Sequence, residues 1–142
     1  MLKISELAGR IGLSTHTIRF YEKHGLIEAS ERSESGYRLY SAADVNRAAF
    51  VKTARNIGFS LEDIAQLLSI RLDRSSHSCQ EVTDITRNKL HEVRRKRAEI
   101  KARQKVLSRL RYNCDGGREK ATHCSILEVL DNGGLPATGG VN

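Results

Sequence analysis

The sequence predicts a mainly α-helical chain with an N-terminal winged helix-turn-helix, one long helix, and a C-terminal loop closed by a short helix. Three observations predict it. Apolar residues in the first 70 positions recur at helical spacing between Gly and Ser punctuation. Residues 79–112 then run for 34 positions with no Gly and no Pro. After that run two cysteines bracket a Gly-bearing segment, NCDGGREKATHC. The 142 residues suit one compact domain, or two very small ones joined by a long element.

The elements follow in order. Ile4, Leu7, Ala8 and Ile11 share one helical face, and Gly12 ends the run. Ser14 is the N-cap of a second helix from Thr15 to about His24, with Ile18 and Tyr21 on one face and Gly25 at its stop. Two short helices across a tight Gly-containing turn make a helix-turn-helix. SERSESG (30–36) is a polar turn and Tyr37–Tyr40 alternates, which predicts a small hairpin with Ser35-Gly36 at or near its tip, the wing. Ser41-x-x-Asp44 is a capping box opening a helix that carries Val45, Ala49 and Val51. Ser60-x-x-Asp63 repeats the device ahead of Ile64, Leu67 and Leu68, and Gly58-Phe59 is the break between the two. In the long run, Val93, Ile100 and Leu107 recur at seven, with Val82, Leu90, Ala98 and Leu110 widening the stripe. No other segment is long enough to cover that seam, so it predicts a homodimer through a coiled coil. The resulting divisions are 1–72, winged helix-turn-helix; 73–112, linker and dimerisation helix; 113–131, loop and short helix (Ser125–Leu130); and 132–142, a disordered tail.

Charge is uneven. Lys plus Arg number 24 against 17 Asp plus Glu, net +7. Residues 85–111 carry a net +9 and residues 1–72 only +2, while residues 73–84 and 112–142 are each −2. The basic balance favours a nucleic-acid partner, but the +9 stretch is read as the solvated face of the dimer helix, so DNA affinity must rest on placed contacts. No stretch approaches the ~18 apolar residues of a membrane span, and MLKISELAGR has no apolar signal region, so neither membrane association nor export is expected. Three cysteines, an odd number, argue against a disulfide scaffold and for reduced thiols in a cytoplasm.

Cys114 and Cys124 lie ten apart across the loop, close enough for both thiolates to reach one ion. Cys79 lies 35 residues upstream of Cys114. A helix over 79–112 is ~50 Å long at ~1.5 Å per residue, so Cys79 cannot meet Cys114 within one chain. In an antiparallel dimer Cys79 falls beside the partner's Cys114–Cys124 loop, which predicts two identical inter-subunit metal sites. Asp115, Glu119 and His123 are further candidate ligands in the loop. The plain alternative is that three unlinked cysteines are incidental, and His77 and Glu119 read more simply as solvated loop residues.

TIRFYEKHGL (Thr17–Leu26), SGYRLYSAADV (Ser35–Val45) and IGFSLEDIAQLL (Ile57–Leu68), in that order, resemble the MerR family of transcriptional regulators. SIRLDRSSHSCQEV (Ser69–Val82) and the cysteine loop ending HCSILEVL are similar to its zinc-responsive branch, and the resemblance spans about residues 1–131. It implies a homodimer on a palindromic operator in double-stranded promoter DNA with an overlong spacer. Metal-dependent underwinding and bending would realign that promoter for RNA polymerase and activate metal-efflux genes. It also implies that the second helix enters the major groove with His16, Thr17 and Arg19, and that Tyr21 and Lys23 lie near the DNA backbone. The wing pair Tyr37 and Arg38 grips that backbone as well. For Tyr21 and Tyr37 the competing role is simple packing.

Cys79, Cys114 and Cys124 fall on the branch's three main thiolate positions, and a cysteine at 79 separates the divalent-ion branches from the copper branch, which has serine. The zinc branch has Cys and His where this chain has Asp115 and Glu119. A second zinc is therefore expected to be weaker or absent, with His123 or water as replacement, and Cd(II), Pb(II) or Hg(II) are alternatives to Zn(II). Other classes fit less well: a metal-buffering or thiol-redox protein leaves the first 60 residues unexplained, and an iron–sulfur sensor needs four clustered cysteines. A drug-sensing relative needs a larger C-terminal domain, and no nucleophile–base arrangement suggests an enzyme. The resemblance also motivates a coupling hypothesis in which loop closure docks the Ser125–Leu130 helix near the partner's Cys79 and moves the DNA-binding domains through Phe59–Leu68.

Overall fold

Short helices with strong caps build the N-terminal half of the computed structural model, which describes residues 1–114 and 116–133. Helix α1 (Ile4–Ile11) ends at Gly12, whose φ of 73° is left-handed. A side chain there would also meet Lys52 Nζ, which donates to the Ile11 carbonyl at 2.7 Å. Helix α2 (Thr15–Lys23) starts where the Ser14 hydroxyl accepts the Thr17 N–H at 3.1 Å. The wing is the antiparallel pair β1 (Glu31–Arg32) and β2 (Arg38–Leu39), with Glu31 opposite Leu39 and Arg32 opposite Arg38. Leu2 and Tyr40 exchange backbone hydrogen bonds at 2.8 Å, which ties the chain start to the end of the wing.

Helices α3 (Ala42–Ile57) and α4 (Leu61–Leu72) open on the two expected capping boxes, Ser41/Asp44 and Ser60/Asp63. Leu7, Ile18, Leu26, Ile27, Tyr40, Val51 and Ile64 are fully buried at the centre of the core. Of the expected α3 stripe, Val51 is buried and Val45 packs against the core, but Ala48 and not Ala49 is the buried alanine. Ala48 and Ala54 each lie three residues from Val51, which keeps all three within an arc of about 120° turned to the core. A short 3₁₀ turn, Arg74–Ser76, precedes α5 (Cys79–Tyr112), whose bounds are those expected for the long helix.

The chain contacts divide it into two compact units, Met1–Lys89 and a second from Leu90 onward. In the first, Val82 and Ile85 of α5 pack on the core, and Lys89 Nζ pairs with Asp63 Oδ2 at 3.2 Å. The Lys89 side chain is only 12% exposed there, so its aliphatic stem lies against the domain while its charge meets the α4 cap. In the second unit, Val93, Ile100 and Leu107 are exposed and Leu110 is buried. Helix α6 (Ser125–Asp131) follows a 3₁₀ turn, Ala121–His123, and Ser125 Oγ donates to the Asn113 carbonyl at 2.9 Å. This bond fastens the start of α6 to the end of α5. Asp115, and residues 134–142 of the expected tail, lie outside the described residues. Among the described residues no helix is long and apolar enough to cross a membrane.

Candidate functional site

Two groups of side chains answer to the expected sites, one in each unit. In the first unit, α2 and the wing present a cationic surface. His16, Arg19 and Lys23 are exposed on α2. Arg19 and Arg38 together line two grooves, one of about 760 Å³ shared with Lys23 and Arg32, the other of about 280 Å³ shared with Lys3 and Tyr37. Tyr37 is mostly exposed at the wing, with Lys3 Nζ 5.8 Å from its ring centre. Arg32 and Arg38 face each other across the strand pair, an arrangement that costs stability unless anions answer it. One answer is internal: Arg38 Nε donates to Glu22 Oε2 at 3.0 Å. Arg32 Nη1 bonds the Gly36 carbonyl at 3.0 Å and so braces the turn.

Two of the expected contact residues also have roles inside the fold. Tyr21 is buried in the core beside Phe20, with ring centroids 5.7 Å apart, so packing is the role the fold gives its ring. Thr17 is half-buried, and its hydroxyl lies 2.8 Å from Ser14 Oγ, in the cap of α2. Sequence reasoning missed Lys3 and Arg32 as parts of the surface, and Glu22 and Tyr40 as its supports. For Arg32 a signal existed: with the hairpin turn centred near Gly36, the register pairs it with Arg38. Glu22 lies one helical turn after Arg19, on the side facing the wing.

In the second unit, the Cys124 thiol sits ahead of α6. The backbone N–H of Leu127, then that of Ile126, and the Cys114 thiol beside it hold Cys124 below the ordinary thiol range, against an opposing contribution from burial. Both cysteines are half-buried and free of any disulfide. The loop thus brings two soft donors together with one poised toward thiolate, which fits a thiophilic divalent ion. Glu119 and His123 are exposed, and among the described residues no cluster of three or more His, Cys, Asp or Glu side chains forms. Among the described residues the pair is therefore two donors, short of the four that a closed zinc site takes.

In the first unit, Cys79 is exposed at the start of α5. It borders a cavity of about 350 Å³ lined mainly by Phe50, Leu67, Ile70 and Val82. His77, which borders the same cavity, has Nδ1 3.2 Å from the Glu81 carboxylate, which keeps that carboxyl below its usual range.

Comparison with known proteins gives consistent relatives. The family model described as MerR HTH family regulatory protein matches residues 2–70, and one described as MerR, DNA binding matches residues 45–110. The HTH-type transcriptional regulator ZntR of Escherichia coli K12 is 44% identical over 133 residues, covering 94% of each chain. A mercuric resistance operon regulatory protein of Bacillus cereus is 37% identical and covers 90% of this chain and 96% of its own. Among solved structures, the transcription regulator PbrR691 of Ralstonia metallidurans CH34 in complex with lead(II) aligns with a TM-score of 0.79 at 35% identity. That alignment covers 92% of this chain and 99% of the other.

Proposed function

Because the chain belongs to the MerR family of helix-turn-helix regulatory proteins, we propose that it binds a palindromic promoter operator as a homodimer and activates metal-efflux genes in response to Zn(II). It is a metal-responsive transcriptional regulator and not an enzyme. The observation that carries the reading is the Cys114–Cys124 pair, an incomplete donor set with one thiol already lowered. Cys79 is the third thiolate, contributed by a second copy. The 34-residue α5 spans ~50 Å at ~1.5 Å per residue, so a straight α5 keeps Cys79 of the same chain out of reach and an antiparallel partner brings its own Cys79 to the loop. When bound, the ion supplies a link between thiolates of two chains. His123 or water completes the set, Asp115 and Glu119 are weaker candidate ligands, and His77 stays with Glu81.

On DNA, α2 enters the major groove with His16, Thr17 and Arg19, while Lys23, Tyr37 and Arg38 hold phosphates; Tyr21 supports α2 from the core. The exposed seam of Val93, Ile100 and Leu107 supports the homodimer. The apolar cavity beside Cys79 supports a docking place for the partner's α6 through Ile126 and Leu130, and the Lys89–Asp63 pair links α5 to the start of α4. Such docking would turn the DNA-binding units, distort the operator and align the promoter for RNA polymerase in the cytoplasm.

The test is transcription from a reporter carrying the chain's own operator, titrated separately with zinc, cadmium, lead, mercury and copper. Zinc should act at the lowest free concentration, and Cys79→Ser, Cys114→Ser or Cys124→Ser should each abolish the response while operator binding persists. A response led by cadmium, lead or mercury would replace zinc as the inducer, a reading favoured by Asp115 and Glu119 and by the mercury and lead regulators among the relatives. Silence to every ion would overturn the sensor half of the proposal.

A further inference from the structure

Glu22, Glu28 and Glu31 line the larger groove beside Arg19, Lys23, Arg32 and Arg38, and Glu22 is the acid bonded to Arg38. Its side chain is 13% exposed, and its two carboxylate oxygens have separate partners. Oε1 accepts the Tyr40 hydroxyl, and Oε2 accepts Arg38 Nε at 3.0 Å. Tyr40 is fully buried; burial, and then its bond to Glu22, push its phenol well above the ordinary range, so it remains a proton donor. Arg38 keeps 43% of its side chain exposed. With Nε committed to Glu22, Arg38 retains two terminal nitrogens as further donors, and it lines both grooves together with Arg19. One carboxylate therefore clamps the end of the wing to α2, from the core side through Tyr40 and from the solvent side through Arg38.

We propose that Glu22 is a positioning residue for operator binding: it fixes the Arg38 guanidinium relative to α2 so that its remaining N–H groups meet one phosphate while α2 sits in the groove. The inference rests on the operator-binding reading above. It also accounts for Arg38 facing Arg32, since Glu22 neutralises one of the pair in the free protein and a phosphate approaches both in the complex.

Glu22→Gln separates positioning from bulk charge because the two predict opposite signs. The amide keeps the size of the side chain and an oxygen for the Tyr40 hydroxyl, but it has no charge for Arg38. Bulk electrostatics predicts tighter binding once an acid leaves the DNA face. Positioning predicts about tenfold weaker binding to the specific duplex, as expected from one misaligned charge-assisted contact. The slope of log affinity against log salt should also fall by about one per protomer. The probes are a duplex selected by the wild-type chain from a randomised inverted-repeat library and a scrambled duplex of equal length, on which the variant should bind no worse than wild type. In an Arg38→Ala background, Glu22→Gln should cost nothing further. If Glu22→Gln melts out, Arg38→Lys takes its place, because an ammonium keeps the charge but cannot bridge Glu22 and a phosphate in one plane, and it should lose affinity like Arg38→Ala. Unchanged or tighter specific binding by Glu22→Gln, a loss undiminished in the Arg38→Ala background, or full affinity in Arg38→Lys would overturn the proposal. Failure of the wild-type chain to select any duplex would instead overturn the operator-binding reading itself.

Discussion

Replacing Ile100 with Asp tests whether α5 needs a second copy of itself. Val93, Ile100 and Leu107 stand at seven-residue spacing and remain 46%, 61% and 64% exposed. Fully burying such a side chain contributes about 1.5–3 kcal/mol. Ile100 has roughly three-fifths of its surface left to cover, so each copy should contribute about 1–2 kcal/mol at a dimer seam. A two-fold dimer contains the substitution twice, which makes the loss about 2–4 kcal/mol before any cost of placing two carboxylates in an apolar seam. The dimer dissociation constant should therefore rise about 30- to 1,000-fold. Sedimentation equilibrium over a concentration series measures it directly. Glu99→Asp serves as the control, because it lowers helix propensity at the neighbouring exposed position by about 0.3–0.5 kcal/mol without touching the seam. A dissociation constant for Ile100→Asp within about threefold of the control would refute the reasoning and place the contact between copies elsewhere.

Other outcomes follow from the caps and from α6. Burial opposes ionisation of Asp44 and Asp63, but hydrogen bonds outweigh it and hold both carboxyls below their usual value of 3.8: Ser30 and Ser41 bond Asp44, while Ser60 and Lys89 bond Asp63. A carboxyl lowered by folding contributes stability that is present above the unfolded value and lost as pH falls through the folded one. The melting temperature should thus stay level from about pH 7 to 5 and drop below about pH 4. Ser60→Ala, which removes the α4 cap, should cost about 1 kcal/mol and lower the melting temperature by several degrees at neutral pH, checked by calorimetry. Ile126→Asp combined with Leu130→Asp should leave operator and metal binding near wild type but abolish reporter activation; unaltered activation would sink the docking of α6.

The elements were legible because their signals are local. Ser14, Ser41 and Ser60 each satisfy an N–H three residues on, and Gly12 and Gly58 adopt left-handed φ values that only Gly takes without strain, so four to six consecutive residues state where a helix begins or ends. The long helix α5, Cys79–Tyr112, was legible instead as an uninterrupted run with a seven-residue apolar repeat. The site was legible only in part. The resemblance pointed to Arg19 and Arg38, and spacing pointed to Cys114 and Cys124 as a pair and to Tyr21 beside Ile18 on one helix face, but neither pointed to Glu22 as the partner of Arg38.

The sequence by itself determined the order of elements, the caps, the uninterrupted long helix and its uncovered seam, since each is set by hydrogen bonds and periodicity within a turn or two of chain. Only the tertiary structure decided that Tyr40 and Arg38 share the carboxylate of Glu22, that Lys89 reaches Asp63 across 26 positions, and that the Cys114 thiol lies beside Cys124. Those pairings depend on how whole helices and the wing pack. Packing is set by the volume and burial of many side chains at once, and a charge or thiol carries no mark in its own neighbourhood of the distant residue it will meet.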